Sequence, residues 1–201
     1  MQDSTLRKLK MQKRNFFLSF IICLTLLSCG NALDEYSHRP CYVVVKNDVF
    51  NDATLASAMN QTVPGIFCLI KKTMSGSASQ FSFSTNMGLS STQQFTAIEQ
   101  RMSMIFGLNN GVIVGYGNLD YPATFYAYDK ECPNCFDPDA IPIKSKPLTM
   151  DDKGHAKCAV CGRVYDMNNR GYIISGETKN SLPLTRFPAS TSGPFGVLVV
   201  Q

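Results

Sequence analysis

The sequence predicts an all-β domain, and three observations carry that expectation. Short β-branched or aromatic runs recur at close spacing. Gly, Pro and Asn bound them as turn residues. After the first thirty residues, no stretch sustains the apolar period of a long amphipathic helix. Together these argue for a sandwich or barrel of short strands. With 201 residues, 44% of them hydrophobic and 17% charged, the chain has the composition of one globular domain.

The N-terminus stands apart. Residues 1–28 hold Arg7, Lys8, Lys10, Lys13 and Arg14 against the single acid Asp3, and the apolar run FFLSFIICLTLL follows from Phe16 to Leu27. As a helix, such a run reaches about 18 Å, short of a bilayer core of about 30 Å. A basic start followed by a short apolar stretch reads as a secretory signal peptide over residues 1–28. Met11 offers an equally good start. LLSCG at 26–30 resembles the lipobox of bacterial lipoproteins, with Leu26, Ser28 and the cysteine in place and Leu27 bulkier than usual. The resemblance implies that Cys29 carries a lipid and begins the mature chain, anchored in a bacterial cell envelope and exposed to the periplasm or the cell surface. An ordinary cleaved signal peptide is the alternative.

From residue 29 onward basic and acidic residues balance, with no block of like charge. Phosphate backbones reward a clustered basic face, so nucleic acid is not an expected partner. Residues 29–40 read as a polar tether and residues 41–201 as the folded domain. CYVVVK (41–46) and GIFCLIKK (65–72) are strand-like, with a short helix or loop at DATLASAMN between them. SGSASQFSFSTN (75–86) suits a hairpin, and QQFTAIEQRMSMIF (93–106) fits one helix or two strands, with strands preferred. GVIVGYG (111–117) and TFYAYDK (124–130) are clear strands, followed by RVYDM, YIISG and the terminal GVLVV.

The chemistry lies in four thiols. Cys132 and Cys135 form one C-x-x-C, and Cys158 and Cys161 form another that ends in Gly162. Each motif places two sulfurs close enough to grip one ion, and two such knuckles complete a four-thiolate set. The intervening residues 136–157 form a slightly long loop, but closure cost grows only logarithmically with length. Local disulfides, or a redox pair of thioredoxin type, are the competing readings. A redox C-x-x-C normally opens a helix that lowers its thiol pKa, whereas these motifs follow strands with no helical pattern behind them.

FYAYDKECPNC, then CAVCGRVYDMNNRGYIISGE, then LPLTRF, resembles a Rieske domain of bacterial envelope lipoproteins. Tyr165, Asp166, Gly171, Gly176, Pro183 and Leu184 fall at matching places. The resemblance covers residues 108–201 and implies a Rieske-like β-sandwich with two metal-binding knuckle loops. Rieske loops supply two His ligands to a 2Fe-2S cluster. Here both are cysteines, and the first motif is one residue longer. Four thiolates suit tetrahedral zinc at about 2.3 Å, or an all-Cys 2Fe-2S centre near roughly −400 mV. No twin arginine precedes the apolar run, so the chain is expected to cross the membrane unfolded, without a pre-assembled cluster. Structural zinc is therefore the first expectation and a low-potential 2Fe-2S electron carrier the second.

Other signals are weaker. His155 is read as a loop residue and His38 as incidental. Cys41 and Cys68 either form a disulfide or remain buried free thiols, since sequence cannot bring their Cα atoms within about 6 Å. Asp137, Asp139, Asp151 and Asp152 balance Lys144, Lys146, Lys153 and Lys157, as a solvated lid would. GLNNGVIVGYG (107–117) lacks the Lys-Ser or Lys-Thr of a phosphate loop. No catalytic residue emerges, so an enzymatic role would be confined to that of an oxidoreductase component. A protein partner is not identifiable.

Overall fold

The computed structural model describes residues 35–201. The signal peptide, Cys29 and the first part of the tether lie outside the described residues. The described part is built from three sheets, and every strand pairing is antiparallel. The largest has the order β4-β3-β2-β5-β6, from β2 (Phe67–Ser75), β3 (Ala78–Thr85), β4 (Ser90–Gln94), β5 (Val112–Tyr116) and β6 (Phe125–Asp129). A three-stranded sheet sets β12 (Val197–Val200) between β1 (Val43–Lys46) and β11 (Ala189–Thr191). A four-stranded meander holds β7 (Leu148–Met150), β8 (His155–Cys158), β9 (Val164–Asp166) and β10 (Tyr172–Ser175).

The period of two along a strand divides the large sheet between two cores. Cys68 and Ile70 of β2, Val112 and Val114 of β5, and Ala127 of β6 enter one core, with Val43, Val45, Leu198 and Val200 of the three-stranded sheet. Phe67, Ile113, Tyr126 and Tyr128 point into the other, with Leu148, Ala156, Cys158 and Tyr165 of the meander. Strands buried on both faces must be apolar throughout. GIFCLI, GVIVG and FYAY are continuous apolar runs for that reason.

Helices are short. α1 (Asn47–Phe50) and α2 (Ala53–Ala58) follow β1 directly, and Asp52 caps α2 by accepting the Leu55 N–H at 2.9 Å. The helix alternative for DATLASAMN is the observed one. The preference for strands across 93–106 fails: β4 ends at Gln94, and Glu99–Arg101 is a single 3₁₀ turn. The buried Glu99 carboxylate accepts from the Thr96 N–H and hydroxyl, which stabilises a turn where a strand would need ladder partners. The charged residues read as a solvated lid are exposed, apart from the half-buried Lys146, and β7 and β8 run through the same segment.

Residues 36–40, assigned above to the tether, are fastened to the domain. Ser37 N–H donates to the Arg186 carbonyl at 2.8 Å, the Arg186 guanidinium lies 5.0 Å from the Tyr36 ring centre, and Arg39 pairs with Asp139 at 2.6 Å. Cys41 and Cys68 are free thiols buried in the first core, not a disulfide. Burial pushes the Cys41 thiol up to about 11 and raises Cys68 as well, so both stay protonated.

Candidate metal centre

Strand β6 delivers the first knuckle through a set of backbone locks. Asp129 N–H donates to Thr185 O at 2.9 Å, and the Asp129 carboxylate accepts the Glu131 N–H at 2.7 Å and the Leu108 N–H at 2.6 Å. The buried Glu131 side chain gathers Asn109 at 2.8 Å, Ser145 at 2.6 Å and the Lys146 N–H. Cys132 N–H then donates to Lys146 O at 2.9 Å. These bonds fix the position of Cys132 before the chain turns. Cys135 and Phe136 N–H both donate to the Cys132 carbonyl, at 3.1 and 2.9 Å, and fold the second cysteine back toward the first.

The second knuckle begins at the end of β8. Cys158 N–H donates to Arg163 O at 3.0 Å, and Gly162 N–H to Cys158 O at 3.0 Å. Gly162 takes φ +74°, a left-handed conformation that other residues adopt only with strain. Gly171, also left-handed at +72°, has no room for a side chain: a Cβ there would meet Leu184 Cβ at 2.6 Å. The Gly171–Leu184 contact brings residues 182–184 against the meander beside the knuckles.

The two loops bring all four sulfurs within 4.8 Å of one another. Cys132 Sγ lies 3.8 Å from Cys161 Sγ, and Cys135 Sγ 3.9 Å from Cys158 Sγ. Sulfurs at about 2.3 Å from a tetrahedral ion are about 3.8 Å apart along each edge. Four cysteines predicted from spacing alone therefore converge on a volume that one ion would fill. Cys132 and Cys158 are fully buried, while Cys135 and Cys161 are partly exposed.

Hydrogen bonds to sulfur surround this quartet. Tyr165, buried in β9, places its hydroxyl 3.3 Å from Cys132 Sγ while accepting from Asn134 Nδ2 at 2.9 Å, which leaves its own proton for the sulfur. Asn134 also exchanges two bonds with the Leu182 backbone, at 2.7 and 2.8 Å, and so ties the first knuckle to the 182–184 segment. Burial raises the Cys132 and Cys135 thiols, and for Cys135 the neighbouring Cys161 adds to the rise. At Cys161 burial acts in the same sense but is outweighed by the Arg163 N–H and guanidinium, which hold that thiol down to about 6. One thiolate is thus favoured near neutrality, and a cation would draw the others into ionisation with release of protons.

His155 is a β8 residue, not a loop residue. Its ring bonds to Asp151 at 3.2 Å, outside the quartet. The sequence reading passed over Asn134, Arg163 and Glu131. Asn134 lay inside CPNC and Arg163 directly after the knuckle glycine, positions where a backbone or side-chain donor meets sulfur. Glu131 carried no signal, because its partners come from residues 109 and 145–146. No protein-family model, curated protein or solved structure matches the chain.

Proposed function

We propose that this protein is a membrane-anchored lipoprotein of a bacterial cell envelope, in which a Rieske-like domain holds one structural zinc through Cys132, Cys135, Cys158 and Cys161. The observation that carries the metal reading is the mutual spacing of the four sulfurs, all within 4.8 Å. A 2Fe-2S centre sets two irons and two bridging sulfides between its cysteine pairs and needs the pairs spread apart, so the tight cluster favours a single ion. Local disulfides find no support in the packing, since all four cysteines are free thiols and each knuckle's sulfurs contact those of the other, as a shared ion requires.

A structural role is supported by where the ligands sit. Cys132 and Cys158 belong to the second core, and joining the knuckles would lock β6 to the meander. The site's binding free energy would then appear as folding stability. The Rieske-like reading draws support from the order of parts: a strand leads into the first knuckle, and Tyr165, whose hydroxyl meets Cys132 Sγ, follows the second, with Asp166 and Gly171 after it. The lipoprotein reading rests on LLSCG.

Elemental analysis and a visible spectrum test the metal, on residues 31–201 exported to a periplasm and purified without added metal. About one zinc per chain and a flat spectrum are expected. Two irons with acid-labile sulfide would replace this reading with the electron carrier. Mass spectrometry of the full chain tests the anchor: the mature N-terminus should be Cys29 bearing a diacylglyceryl adduct, which Cys29→Ala should abolish.

A further inference from the structure

Two loops carry apolar tips that the domain leaves uncovered. Tyr121 and Ile141 are essentially fully exposed, at 103% and 98%, and each has an exposed apolar neighbour two residues away, Leu119 and Ile143. Single exposed apolar side chains are ordinary on protein surfaces. Here they occur in pairs, and both loops connect to the arm by which the chain enters the domain. Arg39 bonds to Asp139 in the second loop at 2.6 Å. Arg186, against which Tyr36 lies, also packs 5.2 Å from Tyr126, whose hydroxyl reaches Asp120 in the first loop at 3.3 Å.

We propose that residues 118–123 and 137–147 dock the domain on the surface of a phospholipid bilayer, with Tyr121 and Ile141 entering the headgroup region. The proposal rests on the anchored reading of Cys29, which brings the bilayer within reach. Cys29 precedes Tyr36 by seven residues, a span of at most about 25 Å. A domain of this size has a radius of gyration of roughly 15 Å. So short a connection keeps the arm side of the domain within reach of the membrane; the second loop meets the arm directly through Arg39 and Asp139, and the first is linked to it through Arg186 and Tyr126.

The loop chemistry suits that surface. Tyrosine is favoured at the membrane–water interface, where its ring is buried and its hydroxyl stays wet. In the second loop the Asp139 charge is met by Arg39, and the Asp137 carboxylate accepts the Asp139 N–H at 2.9 Å. Lys144, exposed, and Lys146 follow the isoleucines. Lysines beside apolar side chains can lay their stems along the interface and present ammonium groups to headgroup phosphates.

The chain contains no Trp, so Tyr121→Trp and Ile141→Trp each supply a lone fluorescent reporter. The full chain, made with its N-terminus intact, is reconstituted into phosphatidylethanolamine–phosphatidylglycerol vesicles with or without brominated acyl chains. Val49→Trp, an exposed α1 position in neither loop, is the control. Both loop reporters should shift to the blue and lose most of their emission to bromine, while the control does neither. Flotation with the vesicles but solvent-like, unquenched loop emission would sink the docking and leave the anchor standing. A blue shift without bromine quenching would mean that protein covers the loops, and would overturn the proposal. A chain that fails to float would remove the anchor and the docking with it.

Discussion

On one face of the five-stranded sheet, Phe81 packs against Phe50, Phe83, Phe95 and Phe106 with ring centres 4.4–6.1 Å apart. On the other face, the meander offers strands of only three or four residues, and two buried residues of the core beneath it are the thiols Cys132 and Cys158. The first core draws its cohesion from apolar area, for which a side chain the size of Phe contributes about 1.5–3 kcal/mol when fully buried. The second has short strands and long connections, the situation in which small units turn to cross-links or metals. On the proposed reading, one chain would use two ways of holding itself together on opposite faces of one sheet.

The widest test of this contrast is to remove the centre. Cys132→Ser, Cys158→Ser or exhaustive chelation should unfold the meander and leave the phenylalanine core standing. Metal ligation at structural sites is worth on the order of 10 kcal/mol, more than so short a meander can recover by other contacts. Hydrogen exchange should show protection lost across β7–β10 and kept across β2–β3. A single unchanged melt would mean that the second core stands without its thiols.

Phe81→Ala is the converse. Emptying that site should cost about 3–5 kcal/mol and lower the melting temperature of the first core, while metal content stays the same. If metal were lost as well, the two cores would fold as one unit.

Asp129 tests the joint between the faces. Burial raises its pKa from 3.8 to about 6, against the pull of the Leu108 and Glu131 N–H groups. The folded state therefore holds this proton to higher pH than the unfolded chain does. The favourable effect is complete below about pH 3.8 and is lost as pH rises through 6. From pH 4 to 6 this group should lower stability by on the order of 2 kcal/mol. Asp129→Asn should flatten that slope in denaturant titrations at fixed metal loading, even though the amide loses one of the two N–H bonds. An identical slope in the variant would assign the pH response elsewhere.

Tyr165→Phe sharpens the comparison at its finest scale. It removes one hydroxyl from beside Cys132 Sγ, a loss of about 1 kcal/mol in stability and about 10–100-fold in metal affinity. Competition with a chromophoric chelator measures the second. Unchanged affinity would show that the Asn134–Tyr165–Cys132 chain orders the loop without tuning the sulfur.

Much of this was legible in the residues. The strands buried on both faces announced themselves as unbroken apolar runs, and the two C-x-x-C motifs are recognisable because a knuckle needs its cysteines at short fixed spacing. The polar strand β4, SSTQQ, was not legible, because an exposed edge strand has no apolar face to give period two. β7 and β8 were hidden for a related reason, since they are only three and four residues long and their inward positions, Leu148, Met150, Ala156 and Cys158, are too few to show a period.

By itself, then, the sequence determined the all-β class, the thiol quartet and the balance of basic and acidic residues from residue 29 onward, since each is a local pattern of residue type and spacing. Only the tertiary structure decided that one sheet separates two cores, that Cys41 and Cys68 remain free, and that Asn134, Arg163 and Tyr165 attend the sulfurs. Apart from Arg163, which lies two positions from Cys161, those facts depend on partners distant in sequence: Tyr165 meets Cys132 across thirty-three positions, and Asn134 meets Leu182 across forty-eight. Local propensity carries no information about which distant segments meet, because their approach is set by how the sheets stack and which apolar faces must be covered.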